Sequence, residues 1–382
     1  MTMTLRSRLP SVGTTIFTVM SKLAADVGAI NLSQGFPDFD CDPALIDAVV
    51  RHMRAGLNQY APMPGALALR QAIAAKYART HGATYDPETE VTITSGATEA
   101  IFDAIASIVH PGDEVIVLEP CYDSYVPGIE LNGGVPVFVP LQLPDYRIDW
   151  SGVEAAITPR TRLLMINSPH NPTGSIMTAD DIAALAAIVQ RSGIYIVSDE
   201  VYEHIIFDGA RHESLSRHPE LAARSFVAGS FGKTFHVTGW KVGYVVAPAA
   251  LTAELRKVHQ YVTFSTMTPV QHGIADLLND QEALDALPSF FQRKRDLFLQ
   301  LMKDSRFRPL PCRGSYFQLM DYSAISDEED SDFAIRMTRE HGVASIPTSP
   351  FLYKSKAPRV IRFCFAKKDE TLERAAERLR RV

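Results

Sequence analysis

Between about residues 90 and 247 the chain alternates short apolar runs with segments whose apolar positions recur at helical spacing. The runs VTITSG, DEVIVLEP, VPVFVPL, TRLLMINSP, GIYIVSDE, SFVAGSFG and VGYVVAP are too short for helices, and most are apolar at consecutive positions. That is how strands covered on both faces read. The intervening ATEAIFDAIASIVH and TADDIAALAAIVQRSG carry the i, i+3, i+4 pattern of amphipathic helices. Such alternation predicts βαβ units feeding a mostly parallel sheet. Thr178 ahead of Ala179-Asp180-Asp181 sets a hydroxyl cap and two acids at a positive helix end, and Gly193 closes that helix.

Beyond residue 281 the pattern changes to a charged helical stretch, short strands around GSYFQLMDY and RVIRFCFAK, and a last amphipathic helix, DETLERAAERLRR. At 382 residues the chain exceeds one small core. The expected division is an N-terminal arm shared with the small domain (1–43), a large α/β domain (44–280) with a seven-stranded sheet, and a small α+β domain (281–382).

Composition narrows the chemistry. Hydrophobic residues at 46% and charged residues at 21% are ordinary for a globular chain. A net charge of -6 supplies no basic face for nucleic acid. Cys41, Cys121, Cys312 and Cys364 lie far apart with no C-x-x-C pair, so neither a disulfide framework nor a metal site is expected, and a reducing cytoplasm fits best. No apolar window suits a signal peptide or a membrane span.

The segment Gly229–Phe235, GSFGKTF, ends like a P-loop, but the position that would need the first glycine is Val227. G-x-G-x-x-G, G-x-S-x-G and H-E-x-x-H motifs are absent. Lys233, Asn171 and Asp199 instead stand where three strands end, and open α/β sheets present ligands at the carboxyl ends of their strands. Ser95-Gly96-Ala97-Thr98-Glu99 joins a strand to a helix, a place where free N–H groups bind an anion; Ser230 and Lys241 would complete a phosphate site. A lysine, a buried carboxylate and a phosphate site together suit pyridoxal phosphate. Lys233 would capture its carbonyl, Asp199 would hold the ring nitrogen protonated, and Asn171 and Tyr202 would bind the ring oxygen.

The set SQGFPDF, NQYAPMPG, SGATEA, PCYDSY, NSPHNPTG, SDEVYEH, SFGKTFHVTGWKVGY and RVIRFCFAK resembles the class I aminotransferases of fold type I, in their order and over nearly the whole chain. Within them it is most similar to the methionine and kynurenine/glutamine branch. The resemblance implies that Lys233 is the Schiff-base lysine and also moves the proton, that Asp199 and Tyr202 assist it, and that Tyr122 stacks on the ring. It also implies that Ala97, Thr98, Ser230 and Lys241 surround the phosphate and that Tyr60 reaches a neighbouring active site across a homodimer. Arg362 would clamp the substrate carboxylate, beside Gly35 and Asn171. Strand alternation sends Arg359 to the opposite face.

The expected donor is a neutral amino acid, methionine first, with aromatic residues, leucine, glutamine and kynurenine as rivals, and a 2-oxo acid is the acceptor. A C–S β-lyase on the same lysine is the alternative enzyme. A ligand-sensing regulator is the alternative outside enzymes, although the short stretch ahead of GFPDF leaves little for a winged helix. His204, Trp240, Tyr244 and Cys121 are read as packing residues.

Overall fold

A computed structural model describes residues 5–382. Thirteen strands run in chain order: Ile30–Asn31 (β1), Val91–Thr94 (β2), Glu114–Glu119 (β3), Val135–Pro140 (β4), Thr161–Asn167 (β5), Tyr195–Asp199 (β6) and Ser225–Ser230 (β7). They continue with Gly243–Val246 (β8), Arg308–Pro309 (β9), Phe317–Asp321 (β10), Val343–Ala344 (β11), Ile346–Pro347 (β12) and Val360–Cys364 (β13).

The seven-stranded sheet has the order β2-β8-β7-β6-β5-β3-β4. Only β8 runs against its neighbours; the remaining pairs are parallel. Alternate residues of each inner strand enter opposite apolar layers. Ile116, Leu118, Leu164, Ile166 and Ile196 join the layer under helices Pro43–Arg54, Leu67–His81 and Ala179–Ser192. Val115, Val117, Leu163, Met165 and Val197 join the layer under helices Gly96–Ile108 and Ala249–Val262. This two-sided burial explains why the strands read as unbroken apolar runs.

The expected cap forms as a reciprocal box: the Thr178 hydroxyl accepts from the Asp181 N–H while the Asp181 carboxylate accepts from the Thr178 N–H. Gly193 then takes the left-handed conformation, φ 70°, that ends the helix.

A third apolar cluster holds the remaining elements together. It unites Met20 of helix Ile16–Val27, Phe291 and Phe298 of Gln281–Leu301, Phe333 and Met337 of Asp330–His341, and Leu372 and Leu379 of Asp369–Leu379. These pack around the antiparallel sheet β12-β13-β10-β9, while β1 pairs with β11 in parallel. The N-terminal helix thus lies in one apolar cluster with the last helix of the chain.

Strand connections reverse direction between β5 and β3, since β3 leads outward to β4 and β5 leads the other way to β6 and β7. Loops leaving the carboxyl ends at such a point open a crevice. Register places Asn167 of β5 beside Asp199 of β6, and Asp199 beside Ala228 of β7.

Candidate active site

A cleft of about 350 Å³ opens at that crevice. Of the residues singled out from sequence, Gly35, Ala97, Thr98, Tyr122, Asn171, Asp199, Tyr202, Ser230, Lys233, Lys241 and Arg362 all line it. Tyr60 does not: it is 83% exposed on a different surface, where its ring meets Phe264 edge-on at 5.4 Å.

Lys233 follows β7 in the short helix Phe231–Thr234. Its Nζ donates to the Tyr316 hydroxyl at 2.9 Å and to the Gly35 carbonyl at 3.1 Å. Burial lowers the amine to about 8, with nearby Arg362 acting in the same direction. Asp199 is buried at the end of β6, where it accepts from the Tyr125 hydroxyl at 2.5 Å. Burial pushes its carboxyl up to about 6 against the pull of that hydrogen bond. Ionised Asp199 therefore gains from a cation placed beside it.

Asn167, at the actual end of β5, is a residue that sequence reasoning passed over. Its amide donates to the Asp199 carbonyl at 2.8 Å, and its oxygen accepts from the Asn171 N–H at 2.7 Å. It therefore ties the loop carrying Asn171 to the strand carrying Asp199. The signal was the run LLMIN itself, whose last residue is polar.

Arg362 sits in the middle of β13 with 0% exposure. It donates to the Asn171 side-chain oxygen at 2.6 Å and to the Ser33 carbonyl at 3.0 Å, and lies 3.9 Å over the Phe317 ring. Its Nε is buried without a hydrogen-bond partner. Among the described residues it forms no ion pair. A buried guanidinium in that condition lacks an anion. Arg359, by contrast, precedes the strand and pairs with Asp327 at 2.6 Å near the surface.

The floor of the cleft is the start of helix Gly96–Ile108. Gly96 has φ 75°, and a Cβ there would lie 3.2 Å from the Lys241 amine, so the lysine head sits directly over the helix end. A Cβ on Gly243 of β8 would approach the Gly96–Ala97 backbone to 2.7 Å. Only a bare backbone lets β8 support the helix at this height. The Ser95 side chain does not cap the helix; Glu99 instead accepts from the Ser95 N–H. The N–H groups of the first turn and the Lys241 amine thus face the cleft together, an arrangement that suits a phosphate.

Tyr122 also faces the cleft, and burial raises its phenol to about 12. Tyr202 is buried with its ring 5.1 Å from that of Tyr316. His204 touches Glu203 at 3.8 Å, and burial lowers it to about 3. Tyr244 is core, hydrogen-bonded to Glu203 at 2.8 Å. Cys121 is buried and its thiol pushed upward by desolvation, so it is not poised to react.

The model of the family "Aminotransferase class I and II" matches residues 27–379. The chain belongs to this family. It is 50% identical to the methionine aminotransferase of Escherichia coli (strain K12), over 99% of this chain and 98% of that protein. A crystal structure of the E. coli protein YbdL, identified with a methionine aminotransferase function, superposes with a TM-score of 0.97 at 49% identity, covering 100% of both chains. The N-succinyldiaminopimelate aminotransferase of Mycobacterium tuberculosis has a TM-score of 0.95 at 40% identity, covering 98% of this chain and 99% of that one. The protein is accordingly a pyridoxal-phosphate-dependent aminotransferase of fold type I.

The cleft fits that cofactor. An anion seat at the helix end, an amine lowered toward neutrality and a buried acid wanting a cation match its phosphate, its carbonyl and its ring nitrogen in turn.

Proposed function

We propose that this aminotransferase takes its amino group from a neutral amino acid, L-methionine first, and passes it to a 2-oxo acid in a ping-pong cycle. The supporting observation is the lining of the cleft beyond Arg362. Phe17 and Phe36 supply apolar surface there, and the only cations among the lining residues are Lys233, Lys241 and Arg362. Two of these lie at the cofactor end, so the chain offers one guanidinium for one substrate carboxylate. A thioether or aromatic side chain suits the rest. The identity to methionine aminotransferase points the same way.

Pyridoxal phosphate, when bound, supplies a conjugated ring that stabilises negative charge at the substrate Cα. Ala97, Thr98, Ser230 and Lys241 would hold its phosphate, Tyr122 would lie against its ring, and Asn171 and Tyr202 would bind its ring oxygen. Asp199 would hold a proton at the ring nitrogen. Arg362 would grip the substrate carboxylate, while Gly35 and Asn171 would orient it. The Lys233 amine, lowered to about 8 and so partly neutral near that pH, would accept the Cα proton and pass it on.

The same reading covers the assembly. Tyr60, exposed and remote from its own cleft, would reach the neighbouring phosphate in a homodimer. The two units would divide near residues 43 and 280, and the protein would act in the cytoplasm.

The test is the absorption spectrum of the purified protein. L-methionine without acceptor should bleach the visible band in a stoichiometric half-reaction, and a 2-oxo acid should restore it. A panel including kynurenine, glutamine, leucine and N-succinyldiaminopimelate should rank methionine first. Pyruvate released from a cysteine conjugate with no acceptor present would support the lyase instead. Faster bleaching by N-succinyldiaminopimelate, which carries three carboxylates, would overturn the proposed preference.

A further inference from the structure

Tyr316 lies immediately before β10 and is wholly buried, and nothing in its local sequence, GSYFQ, marks it as part of the chemistry. Its backbone is fixed on both sides: Ser315, with φ 59°, donates its N–H to the Ile205 carbonyl at 2.9 Å, and the Tyr316 carbonyl accepts from the Phe365 N–H at 3.1 Å. The ring is wedged between Tyr202 at 5.1 Å, Phe317 at 4.9 Å and Phe291 at 5.8 Å, so the hydroxyl has little freedom.

That hydroxyl forms a triangle with the Gly35 carbonyl and the Lys233 amine. Tyr316 donates to the carbonyl, and Lys233 donates to both oxygens, at 2.9 and 3.1 Å. The proton assignment is forced. A carbonyl only accepts and a phenol carries one proton, so the phenol oxygen is left with lone pairs toward the lysine. We propose that Tyr316 is a positioning residue for transamination: its phenol oxygen and the Gly35 carbonyl dock the Lys233 amine whenever that amine is not covalently engaged.

The triangle joins three distant parts of the chain: the end of β7, the loop after β1 and the start of β10. A free lysine head would otherwise sample many rotamers during the step in which it must take up a proton at one carbon and deliver it to another two bonds away. Docking removes that freedom, and two acceptors favour the protonated amine that the proton transfer creates. Burial raises the phenol well above its ordinary value, so it serves as a neutral dipole and not as a base. Gly35 acquires a second task, since the backbone beside the substrate carboxylate also receives the lysine.

The proposal rests on the reading of Lys233 as the catalytic lysine, and the test separates the two. In full-length protein freed of cofactor, Lys233 is labelled with an amine-reactive acyl reagent across a pH series and quantified by peptide mass spectrometry. The wild-type midpoint should fall near 8. Tyr316→Phe keeps the ring but removes an acceptor from the ammonium form, so the midpoint should fall by roughly one pH unit, with about tenfold faster labelling below it.

As a second measurement, melting temperatures are taken for Tyr316→Phe in the wild-type and Lys233→Ala backgrounds. The bond to Gly35 is lost in both backgrounds, so docking predicts a larger melting shift where Lys233 is present than where it is absent. An unchanged labelling midpoint, or equal melting shifts in both backgrounds, would overturn the docking role. Covalent attachment of cofactor to a lysine other than Lys233, trapped with borohydride, would overturn the reading of Lys233 and the docking role together.

Discussion

Lys76 and Arg362 are both buried cations, yet only the first has an acid beside it. Lys76, on the side of the sheet away from helix Gly96–Ile108, pairs with Glu203 and donates to the Tyr244 hydroxyl at 2.8 Å; His81 approaches the same carboxylate at 3.2 Å. Glu200 nearby accepts contact from His212 at 2.8 Å. On the opposite layer, His259 lies 2.9 Å from Glu99 and 3.5 Å from Asp103, and is raised to about 9 by those acids against the cost of burial. Arg362, Lys233 and Lys241 line one cleft, and none has an ion-pair partner among the described residues. The charges of these two clusters are matched within the fold, whereas the three cations of the cleft have no acid to match them. Burial alone therefore does not mark a functional residue; burial in a cleft without a matching charge points to one.

The largest test of that contrast is Arg362→Met. It should lower kcat/KM for the amino donor by about 10³-fold, since a charge-assisted clamp on the carboxylate is lost. Melting temperature of the cofactor-free protein should not fall, because an unmatched buried charge is removed. A large loss of stability would show that Arg362 is a structural cation after all.

Lys76→Met should do the reverse. It leaves Glu203 buried without its cation and should cost about 3 kcal/mol in urea unfolding, with kcat per folded molecule nearly unchanged. Adding Glu203→Gln should recover part of that loss. Full stability in the single variant would break the distinction.

The smallest effect is in pH. On the proposed role of Lys233, capture of the cofactor needs its amine neutral, and burial lowers that amine to about 8. The amine is protonated below that value, so the rate of cofactor uptake by the cofactor-free protein should fall about tenfold per unit as pH drops below 8 and level off above it. A flat profile between about pH 6 and 8 would mean that another group controls the step.

Much of this arrangement could be read from the residue pattern, for a physical reason. Strands buried on both faces declare themselves as apolar runs, and a lysine, an asparagine and an aspartate at their ends must then converge on one crevice. Arg362 emerged from its place in RVIRFCFAK. Tyr316, Asn167 and the Lys76–Glu203 pair were not legible, because each acts through a partner that only the folded chain brings near. Periodicity tells which face a residue occupies, not which distant residue it meets. Tyr60 marks the other limit: its segment matched the family, yet it faces away from its own cleft.

Gly243 has a consequence for how this enzyme could change its diet. The start of the helix is held by backbone resting on backbone, with no side chain to trim, and any side chain added at Gly243 would strike it. Phe17 and Phe36, side chains near the start of the chain, also line the cleft and give it apolar surface that substitution can reshape. A library aimed at new amino donors should leave the platform alone and vary these two positions, where new appetites can be acquired without retuning the chemistry.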